Sequence, residues 1–431
     1  MLQHHISSKD GLNATVKNRW ITGLDTGATA VRAVVAQISD AGSLHIVGYS
    51  EVPCQGIRKG SVVDVAETVH AIESAVYEAS EAAGTPIESV VLGVGGPTVA
   101  SLNSSATVRI LDPVRGVTKG EVAASHRAAQ NIICPPDRQA IHAIPRRYTV
   151  DGSESLRNPL GWTGSRLTVQ SHIVHASTPQ LNMLIRCVTE AHLDVCDVVL
   201  KGLAASQVVL LHEEKESGVC LLDIGGNTTE LTVFKDGTLY CISTIPVGGN
   251  HLTSDICYGL TVGKAEAERL KVSYGAAQVL AQDADTILSV SQMGRTAARK
   301  LRRRALIQIM EPRVRELFQL VCNELADLEV FDQLPAGIVL TGGTSLVADI
   351  STVAEETMGI SVRTGCSTAA ADLSSELTHP SFVVARGLVE YVAGADQGGD
   401  SIRSQEGNDE SLRTLVSQFV RKVAKGIRHE S

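Results

Sequence analysis

The sequence predicts an α/β fold of two related lobes, with a small α+β subdomain inserted into the first lobe and an amphipathic helix at the C-terminal end. Hydrophobic residues make up 43% of the chain but aromatic residues only 3%, so the cores must be aliphatic, which suits α/β layers. A strand–Asp-x-Gly–strand–turn–strand pattern occurs twice, which indicates an internal repeat. Residues 411–431 carry apolar side chains at helical spacing.

Composition excludes several classes of protein. The hydrophobic content is high enough to bury a core, so most of the chain is not expected to be disordered. The net charge of −9 argues against general nucleic-acid binding. Nine cysteines and 13 histidines show no metal-ligand spacing, so we expect no zinc site or disulfide framework and a reducing cytosol. No apolar run is long enough to span a membrane, and the polar N-terminal segment does not look like a secretion signal.

The first repeat follows residues 1–19, a polar arm that we expect to be flexible. An apolar segment leads to Asp25, and strands are expected over 31–38 and 44–52. Asp64 can cap the helix that follows, and Gly84 can end it.

The same order returns in the second half of the chain. Strands are expected over 219–222, 231–234 and 238–245, with Asp223 after the first and an Asp-Gly hairpin turn at 236–237. Two such units in one chain predict a duplicated fold.

The remaining segments complete the predicted organisation. Residues 90–166 are irregular apart from a helix over 119–133 and a strand over 140–150, and we interpret them as an insertion. Residues 260–334 look helical and include a basic run, and the acidic stretch after Gly394 is typical of a solvated linker. The predicted parts are a first lobe (20–89 and 167–200), an inserted subdomain (90–166), a second lobe (201–259 and 335–394), a helical subdomain (260–334), a linker (395–410) and an amphipathic helix (411–431).

The two Asp-x-Gly turns are candidate phosphate-binding loops. A glycine after a strand-end aspartate allows a tight turn, so that backbone N–H groups and hydroxyls such as that of Thr29 can point at phosphate oxygens. Asp25 and Asp223 would hold a hydrated Mg²⁺, an ion that usually keeps several waters. Gly342 and Gly343 follow a third apolar strand and would let the backbone approach a nucleoside.

An aspartic protease presents its catalytic aspartate in the same way as residues 24–28. A two-lobed protease would need a second Asp-Thr/Ser-Gly and a largely β chain. Here the second site reads Asp-Ile-Gly-Gly-Asn, and Ala-rich helical stretches separate the strands, so the protease interpretation is disfavoured.

At this point the residues resemble the actin, Hsp70 and sugar-kinase superfamily, and within it the FtsA family of bacterial cell-division actin homologues. HAIPRRYTVDG at 142–152 and NPLGWTGSRLTVQSHIVHAS at 158–177 are similar to the family's return from its inserted subdomain. IPVGGNHLTSDICYGL at 245–260 resembles the segment that leads into its fourth subdomain. The resemblance implies a two-lobed, actin-like (duplicated ribonuclease-H-like) fold with ATP between the lobes.

The resemblance also implies which residues contact the nucleotide. The first phosphate loop would supply Asp25, Gly27 and Thr29. The second loop would supply Asp223, Gly225, Gly226, Asn227 and Thr228. The sugar and base would be surrounded by Gly248, Gly249, Glu268, Lys271, Gly342, Gly343 and Thr344. Asn227 replaces a glycine that is common in the family, and because asparagine tolerates positive φ we expect the turn to survive.

One departure from the superfamily bears on catalysis. Its ATPases often carry a Glu or Gln that positions the attacking water in a Glu-Pro-x-Ala-Ala-type segment. The matching stretch here, LKGLAASQ at 200–207, has Lys201 at that position, and a charged lysine cannot accept a proton. We therefore expect ATP binding with at most slow hydrolysis, the alternative being an alignment shifted by a few residues.

The C-terminal segment predicts a membrane-surface helix. Its apolar residues fall within an arc of about 140° on a helical wheel, with basic residues opposite or at the borders. A cationic polar face behind a linker is typical of helices that lie on anionic lipid, and the FtsA family has such a tail. The alternative is a helix that docks on its own domain. The predicted membrane residues are Leu412, Leu415, Val416, Phe419, Val420, Val423, Ile427, Arg421, Lys422 and Lys425.

The resemblance implies partners as well. In the family the helical subdomain receives the acidic C-terminal peptide of the tubulin-like protein FtsZ, and Arg299 and Arg313 lie near the matching positions. The basic run at 295–304 could otherwise be a solvated helix face, and without interleaved aromatic residues it is not expected to bind nucleic acid. The resemblance further implies filaments of the chain with itself. It also implies recruitment of later divisome proteins through the inserted subdomain, and a peripheral position on the cytoplasmic face of the membrane at the division site.

Two other functions compete with this interpretation. A pilus-assembly ATP-binding adaptor of the PilM type shares the inserted subdomain but normally lacks the linker and the basic tail. A sugar or acetate kinase of the same superfamily would need a substrate-side catalytic aspartate, for which the sequence offers no clear candidate.

Overall fold

The computed structural model describes residues 19–39, 43–130, 135–153, 155–281, 286–294, 298–365, 376–396 and 410–430. Apart from Arg19, which begins the first strand, the predicted arm lies outside these ranges, as does most of the predicted linker. The strands are β1 (Arg19–Thr26), β2 (Ala30–Ile38), β3 (Leu44–Pro53), β4 (Ile57–Arg58), β5 (Ser61–Val62), β6 (Ser89–Val94), β7 (Val99–Arg109), β8 (Arg138–Val150), β9 (Arg166–Ser177), β10 (Asp194–Leu200), β11 (Val219–Ile224), β12 (Thr229–Lys235), β13 (Thr238–Ile245), β14 (Ile287–Val290), β15 (Arg299–Arg302), β16 (Ile338–Thr341) and β17 (Val362–Thr364).

The helices alternate with these strands, as in other α/β proteins. They are α1 (Val65–Ala83), α2 (Lys119–Gln130), α3 (Thr178–Glu190), α4 (Lys201–Val209), α5 (His212–Ser217), α6 (Gly249–Leu260), α7 (Lys264–Tyr274), α8 (Arg303–Asp327), α9 (Ile350–Met358), α10 (Val383–Asp396) and α11 (Glu410–Glu430).

Two five-stranded sheets with the same arrangement form the centres of the two lobes. From one edge of the sheet to the other, the strand orders are β3-β2-β1-β6-β10 in the first lobe and β13-β12-β11-β16-β17 in the second. In each sheet the first three strands are antiparallel, and the last two run parallel to the strand that carries the Asp-x-Gly aspartate. The duplicated, two-lobed α/β fold that the repeated motif predicts is therefore confirmed.

Helix α1 and the β12–β13 hairpin begin, end or turn at the residues that the sequence predicts. The Asp64 side chain accepts a hydrogen bond from the backbone N–H of Glu67 and so caps α1, and Gly84 ends that helix in the left-handed conformation. At the β12–β13 hairpin, Asp236 and Gly237 both have positive φ (53° and 75°), as the predicted tight turn requires.

The core of the first lobe is closed by α10, which packs on α4 and across β1. The approach is so close that a Cβ atom at Gly23 would lie 2.3 Å from the carbonyl oxygen of Ala385. A glycine is therefore required in β1 two residues before the first aspartate, and the helix fixes the strand that presents Asp25.

The inserted subdomain has a three-stranded antiparallel sheet of its own, in the order β7-β9-β8, with α2 packed on it. A small apolar cluster that includes Ile110, Tyr148 and Leu167 fills the space between the sheet and the helix. The predicted boundaries of this subdomain, 90–166, and of the other parts stay predictions.

The expectation of a helical stretch throughout 260–334 is wrong at one place. Residues 287–290 and 299–302 form the β14–β15 hairpin, so Arg299 lies on a strand and not on a solvated helix face. The physical reason is visible in β14, where Leu288 and Val290 are buried while Ile287 and Ser289 are exposed. This alternation has the period of a strand.

The C-terminal helix α11 lies against α3, β10 and β8 of the first lobe. Val416 and Val420 are only 5% and 4% exposed and belong to that lobe's core, and Phe419 and Val423 pack on it. Arg421, Lys422 and Lys425 are exposed, and Ile427 is half-buried. The apolar face that we expect to meet lipid is thus covered by the first lobe in this conformation, which is the alternative arrangement considered for this helix. The side chains of Leu412 and Leu415 lie outside the description.

Candidate functional site

A cavity of about 490 Å³ opens between the two lobes, and the predicted nucleotide residues converge on it. Gly248 is the exception among the predicted nucleotide residues, because it does not line the cavity. A Cβ atom at Gly248 would lie 2.5 Å from the carbonyl oxygen of Gly225, so this glycine packs directly against the second loop. All the other predicted residues line the wall: Asp25, Gly27, Thr29, Asp223, Gly225, Gly226, Asn227, Thr228, Gly249, Glu268, Lys271, Gly342, Gly343 and Thr344.

The two Asp-x-Gly loops have the same hydrogen-bonded turn. In the first, the N–H of Gly27 donates to the carbonyl of Ala30 at 3.0 Å, and in the second the N–H of Gly225 donates to that of Thr228 at 2.9 Å. Each turn reverses the chain directly after its aspartate, so both loops face the cavity from the ends of equivalent strands.

The loops touch each other across the cavity. A Cβ atom at Gly226 would lie 2.5 Å from Cγ2 of Thr29, so this glycine is needed for the close approach of the lobes. Asn227 does not adopt positive φ, which corrects the reason expected for its tolerance. Its side-chain oxygen instead accepts a hydrogen bond of 2.7 Å from the amide of Asn250.

A third turn joins the second loop to the rest of the cavity. Gly342 has a φ of 83°, and a Cβ atom there would lie 2.2 Å from Oδ1 of Asp223. The hydroxyl of Thr344 donates to the carbonyl of Gly225 at 3.1 Å. The glycine therefore leaves room for the Asp223 carboxylate, and the threonine ties the two turns together.

At the end of the cavity formed by α6 and α7, a lysine is held by three groups. The Lys271 ammonium lies 2.8 Å from the Glu268 carboxylate and donates to the carbonyl of Gly249 and the hydroxyl of Thr253. Glu268 in turn accepts a hydrogen bond of 2.6 Å from the same hydroxyl. These side chains have fixed positions and present polar groups where a sugar would lie in the implied arrangement.

A second lysine brings a buried positive charge to the first loop. The Lys201 side chain is 14% exposed; its Nζ lies 2.7 Å from Oδ1 of Asp25 and donates to the carbonyl of Thr26 at 2.8 Å. Burial alone would lower the pKa of Lys201, but Asp25, Glu230 and Asp223 together hold it above its ordinary value. The ammonium is therefore charged at neutral pH.

Sequence reasoning missed two acidic residues that line this cavity, Glu51 and Glu230. Glu230 lies directly opposite Asp223 on β12, and a Cβ atom at Gly95 of the first lobe would lie 2.4 Å from its carboxylate oxygen Oε2. Burial raises the pKa of Asp223 to about 6 and that of Glu230 to about 7. The sequence carries only part of the signal, since a tight turn between β11 and β12 pairs Glu230 with Asp223 but does not show that the first lobe lies beside it.

The donor groups near the loops suit a hydrated divalent cation better than a directly bound one. Within the described ranges, no three His, Cys, Asp or Glu side chains are close enough together to hold a metal ion. The two aspartates offer carboxylate oxygens, and the buried hydroxyl of Thr341, beside Asp223, has no hydrogen-bond partner among the described residues. A water-held Mg²⁺ fits this donor set, although the Lys201 ammonium already neutralises Asp25.

The two arginines predicted to bind a partner lie away from the cavity. Arg299 is exposed on β15, whereas Arg313 on α8 forms an ion pair of 2.8 Å with Asp255 and a second one with Glu316. Of the two, only Arg299 therefore has an exposed side chain, and a partner carboxylate would have to compete with Asp255 for Arg313.

Comparisons with solved structures agree with the fold. The PilM-PilN type IV pilus biogenesis complex matches with a TM-score of 0.61 at 19% identity, over 86% of this chain and 97% of that chain. MreB5 of Spiroplasma citri bound to ADP matches with a TM-score of 0.53 at 13% identity, over 88% of this chain and 99% of that chain. At such low identity these similarities show an actin-like fold alone.

Comparisons with sequences are more specific. The family model for cell division protein FtsA matches residues 220–387, and the model for the SHS2 domain inserted in FtsA matches residues 96–175. The cell division protein FtsA of Pseudomonas aeruginosa is 35% identical, over 94% of this chain and 97% of that protein. The FtsA of Escherichia coli K12 is 30% identical over 95% and 98%. The chain therefore belongs to the FtsA family of cell division proteins.

Proposed function

We propose that this chain is an ATP-binding, actin-like protein that polymerises on the cytoplasmic membrane at the division site and tethers the FtsZ ring there through α11. Later divisome proteins would be recruited through the inserted subdomain. The observation that carries the proposal is the combination of an inter-lobe cavity with paired phosphate loops and a C-terminal helix with an exposed cationic face. The first fits a nucleotide and the second fits an anionic lipid surface.

ATP is proposed to bind with its phosphates between the two loops. Solved MreB5 structures of the same fold contain ADP and AMPPNP. Mg²⁺ would neutralise phosphate charge, and Asp25 and Asp223 would hold it through water. Hydrolysis is expected to be slow because Lys201 cannot accept a proton.

Membrane binding requires α11 to leave the first lobe. Four of the residues that would enter lipid, Val416, Phe419, Val420 and Val423, now pack on the first lobe, so these side chains cannot be docked and lie in lipid at the same time. Burying a valine side chain is worth roughly 1.5–3 kcal/mol, so docking of Val416 and Val420 would lower the apparent affinity for lipid measurably. We propose that the docked helix is the form in free solution. No helix within the described ranges has the length and hydropathy of a membrane span.

The direct test is co-sedimentation of the full chain with anionic and neutral vesicles, with and without ATP. Removal of α11 would expose its docking surface, so the informative variant is R421Q/K422Q/K425Q, which changes only exposed side chains. Each cation near an anionic surface is worth about 1 kcal/mol, so the triple variant should bind anionic vesicles roughly 100-fold more weakly. Equal binding of both proteins, or no binding of either, would contradict the membrane proposal.

The PilM-type alternative rests on the structural match to the pilus complex. The sequence relatives at 30–35% identity over nearly the whole chain are cell division proteins. A fluorescence anisotropy titration with an acidic FtsZ C-terminal peptide separates the two functions. The division protein should bind this peptide, whereas a pilus adaptor should not.

A further inference from the structure

Lys201 occupies a special place in the cavity. It is the first residue of α4, immediately after β10, and its stem passes Gly93, where a Cβ atom would lie 3.5 Å from Cγ of the lysine. The ammonium therefore reaches the first phosphate loop at the Asp25 carboxylate. Lys201 is also one of the residues that line the cavity between the lobes.

The ammonium has a donor left for a ligand. A lysine carries three N–H donors. The contacts of Lys201 in the described structure are Oδ1 of Asp25 at 2.7 Å and the carbonyl of Thr26 at 2.8 Å. The third donor is available to a phosphate oxygen that enters the loop.

The other cations of the cavity are placed differently. Arg32 lies 4.0 Å from Oδ2 of Asp25, but its Nε donates to Glu51 at 2.6 Å. Lys271 lies at the far end and is held by Glu268. Lys201 is thus the cation in closest contact with the carboxylate that would otherwise attract the hydrated metal.

We propose that Lys201 acts as a built-in cation that replaces part of the charge of Mg²⁺, so that this chain binds ATP nearly as well without the metal as with it. The inference rests on the proposed nucleotide site. A phosphate chain entering the first loop meets an ammonium already paired with Asp25, and a hydrated metal ion adjacent to that carboxylate would have to share it with Lys201. At a separation of a few ångströms in a partly buried site, one such positive charge has a large effect on the binding of an anion.

A purely structural role would have a different signature. If Lys201 only held the first loop in place through its hydrogen bond to the Thr26 carbonyl, its removal would weaken binding of ATP equally with and without Mg²⁺. If it replaces metal charge, its removal should weaken mainly the metal-free complex.

The experiment measures the dissociation constant of ATP for the full chain by isothermal titration calorimetry, in Mg²⁺ and in EDTA at equal ionic strength. The wild-type constants should differ by no more than about threefold, whereas K201Q and K201M should bind metal-free ATP at least about tenfold more weakly than ATP with Mg²⁺. K271Q is the matched control, because it removes a lysine from the far end and should weaken both complexes by the same factor. A thermal melt shows that each variant is folded.

The outcomes separate the two claims. Failure of the wild type to bind ATP under either condition would overturn the nucleotide site and the inference with it. Wild-type binding that falls more than about tenfold in EDTA would leave the nucleotide site intact and overturn the role of Lys201, and this result needs no variant. Equal weakening of both complexes by K201Q would also overturn it, in favour of the purely structural role.

Discussion

Replacing Glu230 with glutamine should make the nucleotide-free protein more stable at high pH. Burial raises the pKa of this carboxyl from its ordinary 4.5 to about 7, because the charged form is poorly solvated beside Asp223. Between these two pH values the unfolded chain releases the proton while the folded chain keeps it. The folded state therefore binds more protons, and the free energy of unfolding falls as the pH rises.

The size of the effect follows from the two pKa values. Each pKa unit corresponds to about 1.4 kcal/mol, so the full difference amounts to on the order of 3 kcal/mol above pH 7 and to nothing below pH 4.5. The nearby Lys201 ammonium lowers the pKa of Glu230, but burial outweighs it. Glu230→Gln should thus match the wild type near pH 4.5 and exceed its stability by up to about 3 kcal/mol at pH 8.

Urea unfolding at pH 5, 6.5 and 8, without nucleotide or metal, measures the difference between the two proteins. Glu73→Gln changes an exposed carboxylate on α1 and controls for the loss of one negative charge. If the stability of Glu230→Gln relative to the wild type is the same at all three pH values, the reasoning from burial is refuted.

Three further predictions concern other parts of the molecule. Gly226→Val should weaken ATP binding at least about tenfold, because even a Cβ atom would lie 2.5 Å from Thr29 and would push the lobes apart; titration with a fluorescent ATP analogue measures this. Val420→Asp should lower the stability by about 2–4 kcal/mol, because it buries a carboxylate in the first lobe; a thermal melt that matches the wild type would argue against the docked helix. Asp255→Asn should release Arg313 from one of its two ion pairs and strengthen binding of the acidic FtsZ peptide several-fold by anisotropy, whereas weaker binding would show that the ion pair with Asp255 orders the site.

The two Asp-x-Gly turns could be predicted from the sequence because local chemistry determines them. A strand-end aspartate, a glycine and a following strand leave the chain few other conformations, and Asp25 and Asp223 lie at the expected places. The same holds for the Asp64 cap and the turn at Gly237. Such features involve residues that are neighbours in the sequence.

What the sequence did not predict depends on contacts between distant segments. Glu230 belongs to the site because the second lobe places it beside Gly95 of the first. No local sequence pattern predicts that these two residues, which are distant in the sequence, lie close together. The sequence predicts a helix where the β14–β15 hairpin lies, because a basic run fits either period when the strand that pairs with it is not known. For α11, an amphipathic pattern specifies an apolar face but not whether lipid or the first lobe covers Val420.

The register of the two sheets has a consequence for the direction in which a ligand can lie. The strand partner of Asp25 is Arg32, whereas the equivalent partner of Asp223 is Glu230. A cleft with approximate twofold pseudosymmetry would offer an elongated ligand two equivalent orientations. Here a base stands on one side of the pseudosymmetry axis and an acid at the matching position on the other. The duplication therefore has a built-in polarity, and an anionic chain that enters it meets two unlike ends.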